Sequence, residues 1–227
     1  MVIGNGMIAE RFKNYRQQDK FLIDAAGVSN STCTSASAFN RELELLSKSA
    51  VKHPDKYFVY FSTCSILDTE QALIPYVNHK LAMEKWIQEN IEKFIIFRIS
   101  NPIGRTTNLH TFFNYFVAKI INRQPFDLWR FAARNILDID DMYLICDYIL
   151  QRDLFKNQII NVANITNYSV LDIVEAIEVH YGVKGNYTII DKGNGPLIPT
   201  NNIHSIISNL NIDFSHNYLE RILNKYF

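Results

Sequence analysis

Met1-Val2-Ile3-Gly4-Asn5-Gly6-Met7-Ile8-Ala9 opens the chain and decides how the rest of it is read. A short apolar run meets two glycines spaced by one residue, and a helical stretch from Glu10 to Arg16 follows. The pattern is G-x-G-x-x-A at a strand-to-helix turn, within one residue type of the dinucleotide fingerprint. Glycine suits such a turn because the backbone bends tightly and must approach a pyrophosphate closely. The helix start then offers free N–H groups and a partial positive charge to the phosphates. A plain tight βα turn produces the same letters, so the stretch gains meaning only from what accompanies it.

Further along stands Tyr76-Val77-Asn78-His79-Lys80. Positions i and i+4 of a helix share a face, and Met83, Ile87 and Ile91 continue the Lys80 face at helical spacing. A free phenol has a pKa of about 10 and is nearly inert as a base at neutral pH. A fixed ammonium within ~4–6 Å favours the phenolate, which is how a Tyr/Lys pair becomes an acid/base catalyst. On its own the spacing also describes a packed Tyr beside a solvated Lys. Two buried strands complete the set. Tyr57-Phe58-Val59-Tyr60-Phe61 runs into Ser62-Thr63-Cys64-Ser65, and Phe94-Ile95-Ile96-Phe97-Arg98 runs into Ser100-Asn101-Pro102-Ile103-Gly104.

With these residues the chain resembles an extended short-chain dehydrogenase/reductase of the nucleotide-sugar epimerase/dehydratase group. That family carries a Gly-rich first turn, a Ser/Thr after a central strand, Tyr-xxx-Lys and an Asn-Pro-x-Gly turn. Arg134-Asn135-Ile136-Leu137-Asp138-Ile139-Asp140-Asp141 is similar to its Arg-x-x-x-x-Val-x-Asp segment. Ile160-Asn161-Val162-Ala163, followed by Ser169-Val170, is similar to its late strand and the helix after it. The resemblance spans nearly the whole chain in the right order.

The departures are as informative. Ile3 stands where many members have their first Gly, and Ala9 replaces the last one. Phe21-Leu22-Ile23-Asp24-Ala25-Ala26 arrives directly after the first helix, and two readings compete. In one, Asp24 is the acid about 20 residues after the glycines that binds the adenosine ribose. In the other, residues 21–26 are already the later strand with its Ala-Ala end, and the second and third strands of the family are missing. The downstream order favours the second: Ala25-Ala26-Gly27, a helix around 38–52, then the strand leading to Thr63. It implies that strands near 1–3 and 21–24 lie side by side and that the adenosine side of the cofactor pocket is reduced.

Composition bounds the rest. With 227 residues, 48% of them apolar, the chain can build a full core in one compact unit with two lobes. Basic and acidic residues balance at 23 each, which argues against nucleic acid or an acidic membrane as a partner. No apolar run approaches the ~20 residues of a transmembrane helix, and no signal-peptide pattern opens the chain. Cys33, Cys64 and Cys146 lack metal-ligand spacing and read as reduced thiols of a cytoplasmic protein. Buried strands alternating with helices argue for a parallel sheet covered on both faces. Phe39, Leu43, Leu46 and Ala50 form the stripe of the 38–52 helix. Ser169 and Asp172 resemble a capping box, with Gly182 as helix stop.

The expected fold is therefore α/β, a Rossmann-like doubly wound parallel sheet with a small C-terminal substrate lobe. Residues 1–104 and 131–163 are assigned to the dinucleotide-binding lobe, and 105–130 and 164–227 to the substrate lobe. The resemblance implies NAD or NADP as cofactor, held by Gly4, Asn5, Gly6, Met7, Ile8, Ala25, Ala26, Gly27, Ser62, Tyr76 and Lys80. It implies Thr63, Tyr76 and Lys80 as catalytic residues, with Thr63, Asn101 and Arg134 toward a nucleotide-sugar substrate. Each has a structural alternative: Thr63 as a backbone cap, Asn101 as a turn starter, Arg134 as a surface ion pair. His79, one position off the shared face, is expected at the rim or in solvent. Phe126 and Trp129 are expected in the core, Asp140 and Asp141 as structural acids, and no metal is expected. Cys64 next to Thr63, in place of an acid, disfavours dehydration. Ketoreduction is the first expectation and epimerisation the next, with a non-catalytic nucleotide-binding scaffold or a reductase of a free metabolite as alternatives. The family also implies a homodimer built on the helices near 38–52 and 76–91, where Leu81, Met83, Trp86, Ile87 and Ile91 exceed one core-facing stripe.

Overall fold

A computed structural model describes residues 1–106 and 111–227. In chain order it holds β1 (Val2–Ile3), α1 (Met7–Arg11), a 3-10 turn (Lys13–Gln17), β2 (Phe21–Asp24), α2 (Ala36–Lys52), β3 (Tyr57–Thr63), α3 (Pro75–Asn90) and β4 (Phe94–Ile99). Then come β5 (Asn101–Ile103), α4 (Phe112–Ile121), β6 (Pro125–Trp129), β7 (Ala133–Arg134), β8 (Ile136–Asp138), α5 (Ile139–Gln151) and β9 (Gln158–Val162). The chain ends with β10 (Tyr168–Ser169), α6 (Val170–Tyr181), β11 (Asn186–Ile190), α7 (His204–Asn209) and α8 (Tyr218–Tyr226). It divides into one unit of Met1–Ser100 with Met142–Val162 and another of Asn101–Asp141 with Ala163–Phe227. The expected division put 101–104 and 131–141 with the first lobe. In the structure β8 pairs with β5 and β7 with β10, which draws those residues into the second unit.

The first unit is a five-stranded parallel sheet in the order β1-β2-β3-β4-β9. Its central strands read FLID, YFVYFST and FIIFRI, near-continuous apolar runs, because both of their faces are covered. Side chains alternate between the faces. Leu22, Phe58, Tyr60, Phe94 and Ile96 point to one, where Leu46 of α2 and Met83 and Ile87 of α3 seal them. Phe21 and Phe61 point to the other. There Phe12 packs on Phe61 at 5.2 Å and on Tyr143 of α5 at 5.0 Å, and Tyr15 packs on Phe21 at 5.5 Å.

Strands 1–3 and 21–24 lie side by side, with Val2 opposite Ile23 and Ile3 opposite Asp24. Asp24 is thus on an interior strand between β1 and β3, not at a far edge. In a doubly wound sheet the second strand in sequence lies on one side of the first and the fourth on the other. Here the second strand takes the place of the fourth, and the order runs in one direction only. The connections through α1 and α2 step the same way along the sheet yet lie on opposite faces, so they have opposite hands. Parallel crossovers are right-handed in about 98% of cases, so one of this pair is an exception. A first helix kept on its face, with its following strands gone, accounts for that.

The second unit contains α4, α6, α7 and α8 with three two-stranded sheets, β5–β8, β7–β10 and β6–β11. Ser169 and Asp172 form the expected capping box, and Gly182 ends α6 in the left-handed conformation at φ 64°. Phe126 is buried against Phe116 and Tyr187. Trp129 is 44% exposed, a correction to its expected core position. Burial along β6 alternates, and Trp129 falls on the outward parity. Asp138, Asp140 and Asp141 anchor α8 by accepting from Tyr226, Lys225 and Tyr218 at 2.6–2.7 Å.

Candidate active site

The glycine turn sits at the carboxyl ends of β1 and β2. Gly4 has φ +112°, and a Cβ there would lie 2.5 Å from the Ala25 carbonyl oxygen, so only glycine permits this turn against Ala25–Ala26. A Cβ at Gly6 would meet nothing within 4 Å. Asn5 and Gly6 are exposed, Met7 and Ile8 partly so, and Gly6 caps α1 without a side-chain bond.

Lys80 lies at the centre of a network that sequence reasoning did not anticipate. Its ammonium donates to Glu42 Oε1 at 2.9 Å, to the Tyr60 hydroxyl at 2.9 Å and, at the long limit of 3.5 Å, to the Phe61 carbonyl. A lysine has three N–H donors, and all three are directed at protein. Glu42 is equally engaged. Oε1 also accepts from Tyr60 at 2.6 Å, while Oε2 accepts the Val28 N–H at 2.7 Å and meets His79 Nε2 at 2.9 Å. Gly27 closes the network from above: a Cβ there would lie 2.6 Å from Glu42 Oε1 and 2.7 Å from Lys80 Nζ. Lys80 and Glu42 are each 2% exposed. Burial pushes the Glu42 pKa up, but the hydrogen bond from His79, the Lys80 charge and the Tyr60 hydroxyl outweigh it and hold the carboxyl well below the usual range. Burial, with the Glu42 carboxylate next, pushes the Tyr60 phenol well above its ordinary value.

His79 differs from its expected place at the rim. Its side chain is 8% exposed, bonded to Glu42 and stacked on Phe39 with ring centroids 4.4 Å apart. The signal for this network was in α2. Glu42 lies on the helical stripe of Phe39 and Leu46, and a carboxylate at a core-facing position must find partners.

Tyr76 is 7% exposed on the first turn of α3, and among the described residues nothing bonds its hydroxyl. Its ring centroid is 6.0 Å from Lys80 Nζ. The Pro75 ring at the helix start suits a first-turn position, where no backbone donor is needed. α3 packs on β3 and the turn that follows it. In that turn Thr63 Oγ1 accepts from Ser65 N at 3.1 Å, which is the capping role, and its own proton remains to be donated. The Ser62 hydroxyl is buried without a partner. Asp24 Oδ1 accepts from Ala26 N at 3.0 Å, and Oδ2 has none. Burial lifts the Asp24 pKa to about 6, against the pull of the Ala26 N–H. In the second unit, Asn101 Nδ2 donates to Asn135 O at 2.9 Å. Arg134 donates to Ala133 O at 2.8 Å and lies 5.5 Å from the Phe112 ring centre.

A nicotinamide dinucleotide, the cofactor the fold family implies, fits these residues in part. The open backbone at Gly6 and the unpartnered Ser62 hydroxyl suit one half of it. For its adenosine half no strand lies beyond β1 among the described residues, and Asp24 is buried and turned to Ala26. Among the described residues no group of acids, histidines and cysteines could hold a metal, and no helix is long and apolar enough to cross a membrane.

No protein-family model matches the chain, and no curated protein matches it in sequence. Solved structures do. A dTDP-glucose 4,6-dehydratase from Bacillus anthracis in complex with NAD superposes with a TM-score of 0.68 at 14% identity, over 96% of this chain and 75% of that one. A UDP-glucose 4-epimerase from Thermus thermophilus, also with NAD, gives 0.69 at 13% over 96% and 79%. A dTDP-4-dehydrorhamnose reductase from Bacillus anthracis in complex with NADP gives 0.70 at 14% over 97% and 84%. The chain has the fold of the extended short-chain dehydrogenase/reductases, the fold shared by these three enzymes of different chemistry.

Proposed function

We propose that the chain is an NAD(P)-dependent oxidoreductase or epimerase of a nucleotide-linked sugar, with ketoreduction of a sugar carbon as its reaction. The observation that carries this reading is Tyr76: a largely buried phenol whose hydroxyl has no partner among the described residues, on a helix packed beside the strand end that bears Thr63. Parallel sheets of this kind take their ligands at the carboxyl ends of the strands, and Gly4, Ala26 and Thr63 all stand there.

The cofactor, when bound, supplies the hydride. Tyr76 holds the proton at its hydroxyl and gives it to the carbonyl oxygen of the sugar, while the Thr63 hydroxyl donates to the same oxygen and orients it. General acid assistance of this type contributes roughly 10²–10⁴-fold. Lys80 acts through its charge and through its hold on Tyr60 and Phe61, not by a free N–H toward a ribose. That charge is shared with Glu42, so its influence on Tyr76 is weaker than that of an unpaired ammonium. Arg134 and Asn101 are assigned to the diphosphate of the substrate. Asn101 also holds the Asn135 backbone, so it is not idle without one.

The protein is proposed to be a homodimer through α2 and α3. Met83 and Ile87 are consumed by the core, and Trp86 and Ile91 pack against it, so the large apolar side chains left exposed for a partner are Leu81 with Leu43, Leu45 and Val51. The scaffold alternative is favoured by one observation, the full engagement of Lys80. Titrating the protein with NADH and NADPH, then screening nucleotide sugars for turnover, separates the two. Cofactor binding with turnover that Tyr76→Phe abolishes supports the enzyme; no cofactor binding even at millimolar concentration supports the scaffold.

A further inference from the structure

A dinucleotide straddles the point at which strand order reverses, one mononucleotide-binding half of the sheet serving each nucleotide. The sheet of this chain has no reversal: its order runs β1-β2-β3-β4-β9, and among the described residues β1 is its edge. Residues 4–20, which separate β1 from β2, are taken up by α1 and one 3-10 turn. That stretch is tied back to the start of β1. The Met1 amino group donates to the carbonyls of Tyr15, Gln18 and Phe21 at 3.0, 3.0 and 2.8 Å. Among the described residues of β1 and β2, none is an acid placed for an adenosine ribose. Asp24, the one acid of β2, is 1% exposed between two strands, with Ala26 N on its Oδ1. On the other side of β1 the strand ends are intact and carry the Ser62 hydroxyl, buried and without a partner, next to Thr63.

We infer that this chain carries a single mononucleotide-binding half, so that its ligand is the nicotinamide mononucleotide portion of the cofactor, and the adenylate portion, with or without a 2′-phosphate, adds nothing to binding. The inference deepens the cofactor reading above and rests on it. Because the N–H donors of Lys80 are directed at Glu42, Tyr60 and Phe61, the ribose of that mononucleotide finds no donor there.

The test is a set of fluorescence titrations of the full chain with reduced nicotinamide mononucleotide, NADH and NADPH, followed by competition with ADP-ribose. The three dissociation constants should agree within about threefold, and millimolar ADP-ribose should displace none of them. NADH or NADPH binding at least roughly tenfold tighter than the mononucleotide, or displacement by ADP-ribose, would overturn the inference while leaving the cofactor reading in place. If none of the three binds at millimolar concentration, both fall together.

Discussion

Replacing Lys80 with Met tests the central feature of the site, because it removes the ammonium and keeps most of the stem. The pair it belongs to is sealed, with 3% of the Lys80 side chain and 2% of the Glu42 side chain exposed. Breaking a buried ion pair by removing one partner costs about 3–5 kcal/mol, since the other charge is left uncompensated. Glu42 would keep three of its four donors, Tyr60, Val28 N and His79, which places the expected loss near the lower end, about 3 kcal/mol. In a domain of ordinary stability that is a large part of the total. The assay is urea denaturation at neutral pH, with the midpoint falling at unchanged slope.

The compensated double variant sharpens the test. Glu42→Gln with Lys80→Met leaves a neutral amide opposite a thioether, and its loss should fall short of the sum of the single losses by about 2 kcal/mol, within the range of directly coupled pairs. A glutamate held below its ordinary range contributes stability above that range and loses it as pH falls through the depressed folded value. The difference between parent and Lys80→Met should therefore shrink in acid, below the usual carboxylate range. A loss under about 1 kcal/mol for Lys80→Met, or additivity within about 0.5 kcal/mol, would refute the reasoning and return Lys80 to the role of a free ammonium facing a ligand.

Asp24 is predicted to oppose folding at neutral pH: its folded pKa of about 6 lies above 3.8, so stability present below pH 4 is lost as pH rises toward 6. Asp24→Asn should match the parent near pH 4 and exceed it by about 3 kcal/mol at pH 8, read by denaturation at both pH values; equal stability at pH 8 would count against it. Gly4→Ala should cost about 2 kcal/mol or more from its φ and the Ala25 contact, seen in thermal melts. Gly6→Ala should cost no more than about 1 kcal/mol as a lost helix cap yet weaken nicotinamide binding, and unchanged binding would remove Gly6 from the site. Tyr76→Phe should melt like the parent, since its hydroxyl has no partner among the described residues, while turnover on an identified substrate falls by roughly 10²-fold or more.

The sheet was legible because its strands obey one rule. FLID, YFVYFST and FIIFRI are apolar on both faces, which only a covered parallel sheet explains, and the order of motifs along the chain set their succession. The loss of the second and third strands was legible too, from the Ala25-Ala26 pair arriving directly after one helix. The environment of Lys80 was not. Helical spacing puts Lys80 on the face of Tyr76, but spacing within α3 says nothing of what α2 brings to it on the same face of the sheet, and Glu42 reaches Lys80 over a sequence separation of 38 residues. His79 was misread for the same reason, since its partners Phe39 and Glu42 both belong to α2. Local pattern fixes which residues share a face of one element, and long-range pairing decides what that face meets.

The missing strands and the engaged lysine bear on one another. In a doubly wound sheet the first strand is interior and the loop after the next strand along borders a dinucleotide. Here β1 is an edge among the described residues, and the loop after β2 packs on the site: a Cβ at Gly4 would meet the Ala25 carbonyl, Gly27 covers the ion pair, and Val28 is bonded to Glu42. A side chain at Gly27 has no room, because both atoms it would meet are saturated and fixed. Gly27→Ala should therefore cost about 1–3 kcal/mol, as overpacking a rigid site does. It should cost little in a background of Glu42→Ala with Lys80→Met, where the space is vacated. If Gly27→Ala were harmless in the parent chain, the loop would not be closed on Lys80, and the ammonium would be available to a cofactor after all.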